Sequence, residues 1–162
     1  MKVEKQVCSL ALSKQLKELG YPQEGIYGWY RKRDLTIYSK GKIDYYIAII
    51  SSHGTSPHCN CDNDTTLIAV APTVAELGEW LPLWIETKYS DGTPETLILN
   101  YSVILDKPNG NRVYHVGYMA GIHGNGNVLD HWVSSVVNEA EARGLMAKWL
   151  LENHPEAFGE RR

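Results

Sequence analysis

Residues 97–119 read LILNYSVILDKPNGNRVYHVGYM, two strand-like runs joined by turn-forming residues. How the two runs pair decides the fold around them. Asn109-Gly110 supplies two neighbours that tolerate positive φ, as a type I′ hairpin turn requires. Pairing outward from that turn sets Leu105 opposite Tyr114, Val103 opposite Val116, Tyr101 opposite Tyr118 and Leu99 opposite Ala120. These fall on one face, because strand side chains alternate with period two. The other face carries Asn100 and Ser102 opposite Met119 and Gly117, with Ile104 beside His115. Pro108-Asn109-Gly110 also suits a type I turn with a glycine bulge. That version slips the register by one, sets Tyr101 opposite Gly117 and Val103 opposite His115, and matches the apolar faces less well. The first register is therefore the expected one.

A chain of 162 residues is most simply one domain, 1–162 with a frayed tail at 155–162, burying about two-thirds of its unfolded surface. A net charge of −3 and a pI near 6.1 argue against general nucleic-acid binding and against a membrane-surface protein. The apolar runs are too short to span a bilayer, and the charged N-terminal stretch lacks a sustained apolar core or a small-residue cleavage site. A cytoplasmic protein is the expectation. The aromatic usage is skewed, with 10 Tyr and 5 Trp against 1 Phe. Rings that carry an OH or NH suit half-wet positions such as sheet faces, interfaces or ligand pockets.

Taken in order, Ser9 caps a helix to Leu19 with Leu12, Leu16 and Leu19 as its stripe, closed by Gly20 and Pro22. Short strands at 26–30, 35–38 and 45–50 read as a meander, with a charged turn at Arg31-Lys32-Arg33-Asp34. Residues 51–64 are a loop, 67–71 a buried strand. Thr73 and Glu76 form a capping box for a helix whose face holds Val74, Leu77, Leu81 and Trp84, although Pro82 ends regular helix at Leu81. Residues 89–94 are turn material, 121–127 a second glycine-rich loop and 128–137 a last strand. Asn138 with Glu141 forms another capping box, opening a helix to Asn153 with the stripe Ala142, Leu145, Met146, Trp149 and Leu150. The expected class is α+β: one domain, a mostly antiparallel sheet packed by about three helices.

Two loops hold the residues that suit chemistry. His53, His58, Cys59 and Cys61 crowd the first, and imidazole and thiolate are the ligands zinc prefers. Their spacing is not that of a zinc knuckle, so no metal or other cofactor is expected. His53-Gly54-Thr55 matches one half of a two-histidine phosphoesterase, but no second half occurs. A hydrolase using the histidine-rich loops therefore ranks last, and a non-enzymatic protein first. The second loop, Gly121-Ile122-His123-Gly124-Asn125-Gly126-Asn127, can cradle an anion with backbone amides. Gly124 and Gly126 would take the anion with His123 and Asn125 beside them. Arg112 would add charge, from a second subunit, and Tyr118 or Trp132 would stack on a base.

Three stretches, VCSLALSKQLKELG at 7–20, APTVAELGEWLP at 71–82 and EAEARGLMAKWLLEN at 139–153, together resemble a family of small uncharacterised proteins encoded by bacteriophages and prophages. The resemblance covers about a quarter of the chain, and all three stretches are capped amphipathic helices. It implies an accessory phage protein of the host bacterial cytoplasm and carries over no catalytic residue. Small phage proteins of this kind act by binding. One reading is sequestration of a host nucleotide-like signalling ligand, a counter-defence role with association of copies as a homo-oligomer. The other is an interaction module that blocks a host protein through an aromatic patch.

Overall fold

Each helix begins on the cap its sequence offers. The structure, a computed structural model, describes residues 2–33, 43–50, 65–88, 92–106, 111–120, 131–135 and 137–158. Helix α1 spans Leu10–Glu18, α2 Val74–Trp80 and α3 Glu139–Asn153. The Ser9 hydroxyl accepts from the Leu12 N–H. At the other end Gly20 sits at φ +90°. It lets the Tyr21 N–H reach the Leu16 carbonyl and its own N–H reach that of Lys17, the paired bonds of a Schellman stop. The expected box at α2 closes, with Glu76 N–H on Thr73 Oγ1 and Thr73 N–H on Glu76 Oε2 at 2.7 Å.

The expected box at α3 closes only by half. Asn138 Oδ1 accepts from the Glu141 N–H at 2.7 Å, but the Glu141 carboxylate turns away from its own helix. It accepts from the N–H and the hydroxyl of Ser9, at 2.7 and 2.8 Å. An N-terminus has orphan donors to satisfy, and here those at the head of α1 win the acid. Asn138 Nδ2 donates to the Val7 carbonyl and Cys8 Sγ to that of Ala140, so the two helix heads form one node.

The strands make two antiparallel sheets rather than one. The first has the order β2-β1-β3, from β1 (Tyr27–Arg33), β2 (Ile43–Ile49) and β3 (Thr65–Val70). It is not a simple meander, because β1 lies in the middle. The expected turn at Arg31-Lys32-Arg33 is strand instead, with Arg31 opposite Tyr45. The second sheet has the order β4-β5-β6-β7, from β4 (Trp84–Lys88), β5 (Pro94–Asp106), β6 (Asn111–Ala120) and β7 (His131–Ser135). Strand β4 is new to the reading. Leu81 turns extended ahead of Pro82, so Trp84 belongs to a sheet and not to the face of α2. The expected strand at 35–38, the turn at 107–110, both glycine- or histidine-rich loops and residues 159–162 lie outside the described residues. The tail expected to fray from 155 is instead a 3-10 turn over Pro155–Phe158, because Phe158 is buried in the core.

The hairpin β5–β6 forms in neither expected register. Tyr101 pairs with Val116, Val103 with Tyr114 and Leu99 with Tyr118, a slip of two from the favoured arrangement. A slip of two leaves every side chain on its expected face, whereas a slip of one would invert them. Burial of one face specifies that parity. The connection is longer than the Asn109-Gly110 pair implied, since Asp106 faces Asn111.

The helix-facing side of this second sheet carries Ile85, Leu97, Val116 and Tyr118, all buried. Against it lies α3, itself packed by α1 and α2. Being enclosed by the other helices as well as the sheet, α3 buries more than its expected stripe. Ala140, Gly144, Ala147 and Leu151 are buried with Ala142, Met146 and Leu150, while Leu145 and Trp149 are only half-buried. Gly144 permits the closest approach: a Cβ there would lie 2.5 Å from Cys8 Sγ and 2.8 Å from Leu12 Cδ2. The same enclosure pushes the Cys8 thiol pKa well up, through desolvation first and then the Glu141 charge.

Candidate interaction surface

The outer side of the four-stranded sheet has no helix on it among the described residues. Alternation along β4 and β5 puts Trp84 opposite Ile98, and Ile98 opposite Met119 on β6. The adjacent row places Gly117 opposite Trp132 on β7. A Cβ at Gly117 would lie 2.5 Å from the Trp132 ring, so the indole lies directly on the glycine backbone. The absent side chain is what lets the ring lie down and join Met119 in a band running from β4 to β7. Trp84 is 59 % exposed and Ile98 55 %. Polar groups bound the band at both ends. On one side Ser134 Oγ and His115 Nδ1 lie 2.7 Å apart, and on the other Glu86 faces Thr96.

Beside Trp84 the surface is concave. A groove of about 670 Å³ runs between the end of α2 and the short 3-10 turn Pro155–Phe158. Trp80 stacks on Phe158 at 3.9 Å along its wall, exposed Leu83 lines it, and Glu79 and Glu156 supply its charge. Large apolar surface rimmed by charge is how monomeric proteins present a partner site.

Of the residues expected at an anion site, the described ones, Tyr118, Trp132 and Arg112, are placed apart. Tyr118 is fully buried on the helix-facing side, its hydroxyl donating to the Pro82 carbonyl at 2.6 Å. Burial pushes its pKa up. Trp132 lies on the opposite side of the sheet, so the two rings cannot flank one ligand. Arg112 is exposed near the hairpin end, opposite Leu105, roughly 27 Å from Ala120 at ~3.4 Å per residue. His123, Gly124, Asn125 and Gly126 lie outside the described residues. So do His53, His58, Cys59 and Cys61, the weak zinc candidates.

A cleft of about 790 Å³ between β4, the start of β5 and the end of α3 is lined by Glu86, Glu95 and Glu156 against Lys88 and His154. Next to it the His131 ring stacks on Trp149 at 3.9 Å, with His154 on Trp149 at 4.9 Å. Desolvation, then the His154 charge, lowers the His131 pKa. Among the described residues no group of three His, Cys, Asp or Glu side chains is arranged to hold a metal, and no helix is long and apolar enough to cross a membrane.

No family model, curated protein or solved structure matches this chain. From the sequence alone Met119, Gly117 and Trp132 fall on strands but Trp84 falls on a helix face, so only half of the exposed band across the sheet is legible there. The alternation of Trp84, Glu86 and Lys88 against Ile85 was the signal that could have found it.

Proposed function

We propose that the protein is a non-enzymatic binding module that engages and blocks a partner protein through the outer face of its four-stranded sheet. The observation that carries this reading is the apolar band of exposed Trp84, Ile98 and Trp132 with half-buried Met119 between them, continuous with the groove beside Trp84. A buried aromatic anchor ringed by polar contacts is the usual form of a binding hot spot. Glu79, Glu86 and Glu156 around it call for a partner whose apolar anchor is flanked by Lys or Arg. The phage resemblance gives this module its setting, an accessory protein acting on a host factor in the bacterial cytoplasm.

Sequestration of a nucleotide-like anion by the 121–127 loop is the competing reading, and Trp132 is its one exposed ring near the loop root. Native mass spectrometry of the protein purified from bacterial cells separates the two. The interaction reading expects a discrete adduct of a different protein, distinguished by mass from further copies of the 18.3 kDa chain, and lost in the Trp84→Ser/Ile98→Ser variant. A retained nucleotide with no protein adduct would overturn it in favour of the ligand reading. A bare chain in both samples would overturn it as well.

A further inference from the structure

The two edges of the three-stranded sheet are treated differently. On β3 the outward backbone groups are occupied by side chains: the Val70 N–H donates to Gln23 Oε1 at 3.1 Å, and Lys17 Nζ donates to the Ile68 carbonyl at 2.7 Å. Side chains placed this way close an edge against further pairing. On β2 the situation is the reverse. The Ile50 N–H donates to the Ile26 carbonyl, and antiparallel ladders bond alternate residues. Asp44, Tyr46 and Ala48 therefore turn their backbone groups to β1, and Ile43, Tyr45, Ile47 and Ile49 turn theirs to the open side. Among the described residues no hydrogen bond reaches these outward backbone groups, and Lys14 Nζ lies over the Tyr45 ring at 5.2 Å. The strand is lightly defended: IDYYIAI holds no Lys and no Pro, carries Asp44 as its one charge and runs for 7 residues. Ile43, Tyr45 and Ile49 are each 44–57 % exposed.

We propose that β2 is a homodimerisation edge, on which a second copy of this chain adds its own β2 antiparallel about a two-fold axis at Tyr46. The sequence is self-complementary in that register. It sets Ile43 opposite the partner's Ile49, Tyr45 opposite the partner's Ile47 and Asp44 opposite the partner's Ala48. Every outward-turned N–H and C=O then meets its counterpart, and each such pair exchanges two backbone bonds. The apolar side chains line one face of a sheet continuous across both copies. Centring on Asp44 would oppose two carboxylates, and centring on Tyr45 or Ile47 would carry Ile49 or Ile43 past the end of the partner's β2. A centre between residues would set outward groups against inward ones. The interface is isologous, so it closes as a dimer and leaves the outer face of the four-stranded sheet unused by it.

Sedimentation velocity of the full chain, with Ile47→Pro as the variant, tests this. Proline removes an N–H that points to the open side and leaves the ladder to β1 intact. The wild type is expected at twice the 18.3 kDa chain mass, and Ile47→Pro at one chain mass. A second readout does not depend on that variant folding. On a Cys59→Ser/Cys61→Ser background, Tyr46→Cys places two thiols across the axis at a non-bonded pair, about 4.5 Å between Cα atoms and within disulfide reach. It should give a disulfide-linked dimer on a non-reducing gel, whereas Asp44→Cys should not. A wild type that is monomeric across the concentration range, alone or with a foreign strand on β2, overturns the proposal. So does an undiminished dimer in Ile47→Pro, or equal cross-linking at 44 and 46.

Discussion

The two sides of the four-stranded sheet are built from the same strands, one residue out of phase, and meet opposite fates. On the helix side Leu97, Val116 and Tyr118 are sealed, and even the Tyr118 hydroxyl finds the Pro82 carbonyl. On the outer side Trp84 and Ile98 are as apolar as anything in the core and remain more than half exposed. A period-two pattern that is apolar on both sides normally marks a strand covered twice. Here one cover is present among the described residues. On the proposed function, stability belongs to one side and recognition to the other.

If that division holds, changes on the helix side should cost the most stability. Leu150 is fully buried in the cluster that joins α3 to the sheet and to the other helices. Leu150→Ala should lower the unfolding free energy by about 2–5 kcal/mol, the range for deleting a buried leucine side chain, as read from chemical denaturation midpoints. A smaller effect is expected at the crossing of α1 and α3. A methyl group at Gly144 would press on Cys8 Sγ and Leu12 Cδ2, so Gly144→Ala should cost about 1–3 kcal/mol by overpacking. A thermal melt unchanged in Gly144→Ala would mean that the two helices separate without loss.

The smallest effect sharpens the comparison at the border of the core, where His131 lies against Trp149. Its folded pKa is lowered from the ordinary 6.5 by burial and by His154, so the unfolded chain binds the proton more readily. The corresponding stability is present in full above about pH 6.5. It is lost as pH falls from there through the folded value. Urea midpoints measured between pH 7.5 and 5 should decline, and His131→Phe should flatten that decline. An identical slope in the variant would show that the ring is not titrating in this window.

What the sequence made legible was what local chemistry decides. Ser9, Thr73 and Asn138 announced their helices because a cap satisfies amides two or three residues away. The faces of β5 and β6 were legible because burial of one side specifies parity. The register itself was not, since Asn109-Gly110 is a strong turn signal that the pairing of Asp106 with Asn111 overrides. The Glu141 carboxylate was misassigned for a related reason. Its partner Ser9 is 132 residues away in sequence, and no local spacing carries that information. The division into two sheets, and the placement of Trp84 at the end of the exposed row, likewise depend on contacts made only in the fold. Of the described residues first named for a site, Arg112, Tyr118 and Trp132, the last alone lies on the proposed surface.

The most direct test of that surface places a photo-cross-linking phenylalanine derivative at position 98 or at position 101 and irradiates living cells. Both positions are exposed, Ile98 by 55 % and Tyr101 by 37 %, and they project from opposite sides of the same strand. If the outer side is the binding side, position 98 yields a discrete adduct to a partner protein and position 101 yields none. Equal adducts from both positions, or none from 98, would contradict the account.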